Sequence, residues 1–314
     1  MTEETPITDS SESGKNNYVV SLSIIIAATM ITGALFYSNP RKSGVSDSSN
    51  RANIAVSERG ATDSDLEEIV LPKDGVTLPV KWGDLGQKLI SAGVVDSDKF
   101  ASLYEGRGGL DAESKELLSG NVNGNIKMTR DNAGVLLNLF WAVGLGTKNR
   151  VLDSGPMADS RYNGAGNFAS TGGWTLAKGQ AMEHYSGHPF IILTLEQQEL
   201  VERAAKNIYR PCCDNPTHFP DCNHGMAMLG LLEMLAANGV SEKEMYKIAL
   251  QVNAYWFPDS YLTIAKYLNS KGVSWNEVEP QKILGQGFSS ASGYQAILKQ
   301  VSEPEEKKGG GCGV

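Results

Sequence analysis

The stretch RPCCDNPTHFPDCNHGM, residues 210–226, holds three of the chain's four cysteines and two of its four histidines. Thiolate sulfur and imidazole nitrogen are the donors that suit zinc, copper(I) or iron, and four of them complete a closed tetrahedral site. Cys212, Cys213, His218, Cys222 and His224 are therefore the candidate metal ligands. In an extended backbone Cys222 and His224, two positions apart, project to one side. The spacing departs from the common zinc pattern, in which paired cysteines are separated by two residues. Three chemistries compete for these side chains: a metal centre, a structural disulfide from Cys222 to Cys212 or Cys213, and a working thiol pair. The bland alternative is simple burial of the cysteines, with His218 satisfying a backbone carbonyl. Met226 and Met228 add soft sulfur that favours copper(I), yet they open a helix rich in leucine and methionine, where such residues are ordinarily core.

Two other places carry reactive side chains. In AMEHYSGHPF, His184 and His188 stand four apart with Glu183 beside them, the spacing of one helical face. Gly187 and Pro189 end a helix there, so the pair is read as lying at the surface, or else as completing the cysteine site or lining a pocket under the glycine-rich loop. Cys312 sits near the C-terminus in GGGCGV, an odd thiol on a flexible arm. This ending resembles the mobile Gly-Cys tails of thioredoxin reductases, without any flavin or dinucleotide motif around it. The resemblance implies exchange between Cys312 and Cys212 or Cys213, or delivery of a metal to them. Glycine-rich phosphate loops in a strand-to-helix context, the G-x-S-x-G nucleophile turn and the C-x-x-C-H haem motif are absent from the sequence.

A loop that grips an ion needs fixed ends, and the flanking sequence supplies helices. TLEQQELVERAAKNIYR opens with Thr194 and Gln197 as a capping box, and Leu200, Val201, Ala204, Ala205 and Ile208 share one face. GMAMLGLLEMLAANG follows the cysteines directly. SEKEMYKIALQVNAYWF repeats the cap with Ser241 and Glu244, PDSYLTIAKYLNSKG starts at Pro258, and SWNEVEPQKILG offers Ser274 and Glu277. Upstream, WGDLGQKLISAG, DSDKFASLYE, DAESKELLSG and TRDNAGVLLNLFWAVGLG also read as helices. Strand signals are confined to NGNIKMT and HPFIILT. The glycine-dense stretch 154–179 reads as a long loop, and Tyr162, Phe168 and Trp174 within it predict that it packs over something. The expected fold is mainly α: one multi-helix domain over 66–301 with a long glycine-rich loop and little β.

The remaining sequence predicts a membrane anchor. Tyr18 to Tyr37 carries no charge and has tyrosines at both ends, enough for a helix of about 30 Å across a bilayer. Residues 1–17 form a polar tail, 38–65 a serine-rich tether with an r.m.s. span of roughly 30 Å, and 302–314 a flexible end. Lys15 against Arg41 and Lys42 leaves one charge in favour of a cytoplasmic C-terminal part, but large domains translocate regardless. The 18–37 segment resembles the short anchors of exported thioredoxin-like proteins of small bacteria, which implies an extracytoplasmic domain. The net charge of −8 argues against nucleic acid as a partner. The sequence-level expectation is thus a single-pass membrane protein with a Cys/His metal loop of structural or redox role. The alternatives are a thiol-disulfide redox protein and a disulfide-stapled interaction domain.

Overall fold

The structure is a computed structural model that describes residues 62–302. The expected span at 18–37, the tail 1–17, most of the tether and the segment bearing Cys312 lie outside the described residues. Among the described residues, no helix is long and apolar enough to cross a membrane.

Thr62 opens α1 (Asp63–Val70) through a reciprocal cap: Asp65 N donates to Thr62 Oγ1, and the Asp65 carboxylate accepts from Thr62 N. Asp63, Ser64 and Asp65, expected in the tether, are thus the first turn of a helix whose Leu66 and Val70 are buried. Next come β1 (Val76–Gly83), α2 (Leu85–Ala92), α3 (Ser97–Glu105), α4 (Ala112–Ser119) and β2 (Val122–Met128). β2 pairs antiparallel with β1, Val76 facing Met128 and Leu78 facing Ile126. The register shifts before Lys81 meets Asn125, at Pro79, which has no N–H to give to a ladder. β2 is the strand expected at NGNIKM. HPFIILT gives only a single bridge, His188 to Thr147, because Pro189 follows at once and interrupts the donors. β1 was not legible as a strand, since its Trp82 and Gly83 read as the start of the helix after it.

α5 (Ala133–Gly146), α6 (Arg150–Ser154), α7 (Leu195–Asn207), α8 (Asn223–Ala237) and α9 (Glu242–Trp256) form the middle of a mainly helical domain. α10 (Pro258–Ser270), α11 (Pro280–Leu284), α12 (Gln286–Ser289) and α13 (Ala291–Ser302) complete it. The predicted caps of α7 and α9 form: Thr194 Oγ1 accepts from Gln197 N at 3.3 Å, and Ser241 Oγ from Glu244 N at 3.4 Å. Pro258 takes the first position of α10. Ser274 heads only the 3-10 turn Trp275–Glu277, and Pro280 begins the next helix.

α5 and α8 are apolar around almost their whole circumference, and both are buried. They cross at glycines. A Cβ on Gly144 would collide with the Met226 carbonyl, and one on Gly230 with the Phe140 carbonyl. Each leucine buried between them contributes about 2 kcal/mol from the surface it removes from water. This crossing fixes the N-terminal end of α8, where the cysteine connector arrives. The glycine-rich segment after α6 is ordered by its aromatics, as expected. Trp174 is buried edge-on to Trp141 at 4.3 Å, and the two indole N–H groups donate to the Val94 and Ser170 carbonyls.

Candidate metal centre

The connector runs from α7 to α8 and is closed at its root by backbone hydrogen bonds. Thr217 N and Oγ1 both donate to the Ile208 carbonyl, and His218 N donates to the Ala205 carbonyl. Arg210 fills the inside of the loop, with 1% of its surface exposed. A buried guanidinium must satisfy its donors. Its Nε donates to Cys222 Sγ at 3.1 Å, Nη1 to the Asn215 carbonyl at 2.6 Å, and Nη2 to Asp221 Oδ1 at 2.6 Å and the Phe219 carbonyl at 3.2 Å. Asn215 Nδ2 donates to the other Asp221 oxygen at 2.7 Å. Gly225 makes room, because a Cβ there would sit 2.7 Å from Arg210 Nη2.

The three cysteines sit around this core. Cys212 and Cys213 form a tight turn, closed by Cys213 N donating to the Arg210 carbonyl at 3.1 Å. The turn is tied outward to α13, where Ala291 N donates to the Cys213 carbonyl at 2.9 Å and Ser292 N to Asp214 Oδ1 at 2.8 Å. Cys222 is the N-cap of α8, and its sulfur accepts from Gly225 N at 3.4 Å. His224 lies in the first turn of α8, its ring 4.3 Å from that of Phe257 and 6.0 Å from that of Trp256. All three cysteines are free thiols, with Cys212 exposed.

The donor atoms converge. Cys212 Sγ is 3.6 Å from Cys222 Sγ, 3.5 Å from Cys213 Sγ and 3.9 Å from His224 Nδ1. A disulfide needs about 2.05 Å. A tetrahedral ion with metal–sulfur bonds of about 2.3 Å has edges of roughly 3.8 Å between its ligands, close to these separations. Cys212, Cys222 and His224 lie within 4.8 Å of one another, and Cys213 with Cys222 likewise, so this Cys/His cluster could hold a metal ion. Asp221 also lies within 4.8 Å of Cys213 and Cys222, but both its oxygens are already engaged by Arg210 and Asn215. It acts on Arg210 rather than as a free ligand.

The protons of the three thiols are unequally held. Donation from the Cys212 and Cys213 thiols, with His224 and the Arg210 charge adding to it, holds the Cys222 thiol far below its usual range. Cys212 is pushed up, chiefly by its hydrogen bonds to Cys213 and Cys222. For Cys213 the Cys212 contact lowers the value, but Cys222 and burial outweigh it, to about 11. The cluster thus holds its protons unequally, and a metal ion would displace those that remain.

His218 does not join the cluster. Its backbone is bound to the end of α7, and its ring, with a pKa lowered by burial, feels the charges of Lys206 and Glu202 on that helix. Nor do His184 and His188 complete the site. Ser186 between them has φ +50°, so they leave the helical path. His184 Nε2 bonds the Lys178 carbonyl at 3.0 Å, while Nδ1 faces His188 Nε2 at 3.2 Å with ring centroids 5.4 Å apart. Those two separations put the rings nearly head-on, the geometry of an N–H···N hydrogen bond. The tautomers follow from that network: His184 carries its proton on Nε2 and His188 donates. Burial, and then the neighbouring His184, lower the His188 pKa.

The glycine-rich segment does reach the connector. Ser170 N donates to the Asp221 carbonyl at 3.2 Å, and Tyr162, Phe168 and Phe219 form an aromatic trio with centroids 5.3 to 5.4 Å apart. Two cavities, of about 300 and 270 Å³, lie elsewhere on the domain, and neither is lined by a cysteine or histidine. Arg210 and Asp221 carry roles that the sequence pattern did not assign. Their signal was position: a basic residue two before Cys212 and an acidic one directly before Cys222, each beside a proline, Pro211 and Pro220. No family model, no curated protein and no solved structure matches this chain.

Proposed function

We propose that the domain is a transition-metal-binding module, held at a bilayer by residues 18–37 and displayed outside the cytoplasm. Its connector binds one zinc, copper or iron ion through Cys212, Cys213, Cys222 and His224. The observation that supports this reading is the spacing of 3.5 to 3.9 Å from Cys212 Sγ to the donors of Cys213, Cys222 and His224, which come from both ends of one loop. Four protein donors favour a closed, structural or cargo-holding centre over an open catalytic one. Arg210 offsets the negative charge that three thiolates bring to the ion. The test is elemental analysis of the full chain purified reduced in mild detergent, paired with a free-thiol count. One ion per chain is expected, lost together in Cys222→Ser and His224→Ala. A chain that takes up no ion under these conditions refutes the reading.

A second reading is favoured by one observation: Cys222 sits at a helix N-terminus beside a buried arginine, the setting of a reactive thiolate. A thiol-disulfide oxidoreductase would turn over small disulfides with no metal present. Multiple-turnover kinetics of the metal-free chain separate it from the first reading.

A further inference from the structure

We propose that the centre has two mutually exclusive states, one holding the ion and one in which Cys212 and Cys222 are joined by a disulfide, with a small-molecule disulfide as the oxidant. The inference rests on the metal reading above and adds its regulation. Three observations select the pair. Cys212 and Cys222 sulfurs are 3.6 Å apart, so closing the bond requires about 1.5 Å of approach. Cys212 sits on an exposed turn, where an oxidant meets it first. Cys213 is the poorer partner for Cys212, since consecutive Cα atoms lie about 3.8 Å apart, short of the 4.4–6.8 Å that disulfides span.

The chemistry runs in two displacements. Cys212, whose proton is displaced on metal loading, attacks as the thiolate on one sulfur of the small disulfide, that S–S bond breaks, and one small thiolate leaves with its electron pair. Cys222 thiolate, held in place by Arg210 Nε and Gly225 N, then attacks Cys212 Sγ and expels the second small thiolate. The two cysteines are oxidised, the small disulfide is reduced to two thiols, and water supplies their protons. Only Cys213 and His224 remain as donors, too few for a closed site, and the ion leaves.

The experiment uses the full chain in mild detergent, reduced and loaded with zinc, then titrated with oxidised glutathione without oxygen. Released zinc is read with a chromogenic chelator. After alkylation, cleavage on the N-terminal side of Asp214 and Asp221 separates Cys212 and Cys213 from Cys222, and fragment masses of the linked peptides show which of Cys212 and Cys213 carries the alkyl group. The expected result is one zinc released per bridge, a loss of two hydrogens on the linked Cys212 and Cys222 peptides, and alkylated Cys213. Cys213→Ser should still form the bridge, and Cys212→Ser should slow zinc release at least about tenfold. A bridge from Cys213, a lasting mixed disulfide with glutathione, or zinc retained beside a Cys212–Cys222 bridge overturns the switch. A reduced chain that takes up no zinc, cobalt or copper overturns the metal reading, whereas a loaded chain that never forms this bridge overturns the switch alone.

Discussion

Glu233 on α8 is wholly buried, and its carboxyl has one hydrogen bond, from Asn149 Nδ2 to Oε1 at 2.5 Å. The other oxygen, Oε2, has no partner, and neither does the Thr147 hydroxyl in the same neighbourhood. Burial drives its pKa well above the ordinary 4.5, more strongly than the Asn149 hydrogen bond lowers it. The folded chain therefore binds a proton here that the unfolded chain releases, and stability falls as pH rises from 4.5 through the folded value. The linkage is about 1.4 kcal/mol per pH unit, so its ceiling at pH 7 is about 3 kcal/mol. Glu233→Gln removes the titration while keeping shape: the amide oxygen still accepts from Asn149, and the amide N–H can donate to Thr147. The variant should match the wild type near pH 4.5 and exceed it by up to about 3 kcal/mol at pH 7. Urea unfolding from pH 4.5 to 8 reads both curves, and metal content should not change, because the donors are untouched. A variant less stable than the wild type at pH 7, or a gap that narrows as pH rises, would refute the reasoning.

Arg210→Met removes the partner of Asp221 and of two carbonyls within a buried network, and should cost about 3–5 kcal/mol in chemical unfolding, with loss of bound metal. Arg210→Lys keeps the charge but not the fork, and should fall between the two. Gly144→Ala drives a methyl into the Met226 carbonyl and should destabilise by about 1–3 kcal/mol, read as a lowered Tm. Metal binding should release protons at neutral pH, because Cys212 and Cys213 hold theirs, the latter with a pKa of about 11. Calorimetry in buffers of different ionisation enthalpy should detect this release, and affinity should weaken as pH falls. Proton-free binding would show that these two thiols are not ligands.

Local devices were the legible part of the fold. Thr194, Ser241 and Pro258 announce their helices because a cap or a first-turn proline acts within four residues. The unbroken apolar runs of α5 and α8 announce burial on all sides. Ser274 misled because the Ser-x-x-Glu pattern here heads only one 3-10 turn, whose N-cap hydroxyl makes no cap hydrogen bond. Pro79 and Trp82 hid β1, whose pairing with β2 depends on contacts across three intervening helices. At the candidate site, residue type and density pointed to Cys212, Cys213, Cys222 and His224. Which histidine faces the sulfurs was not readable, because His218 and His224 differ only in whether α7 or α8 holds their backbone. Arg210 was silent for the same reason: an arginine before a proline looks like surface until the loop folds over it.

The guanidinium inside the connector bears on how an ion would come and go. Many small metal modules collapse when stripped, because the ion is their only interior. Here the loop already has an interior of its own, spanned by Arg210 from Asn215 to Cys222 and anchored outward at Ala291. The cradle should keep its outline after its guest departs. Loading and unloading then need no refolding, and the ion is better described as a passenger than as a rivet.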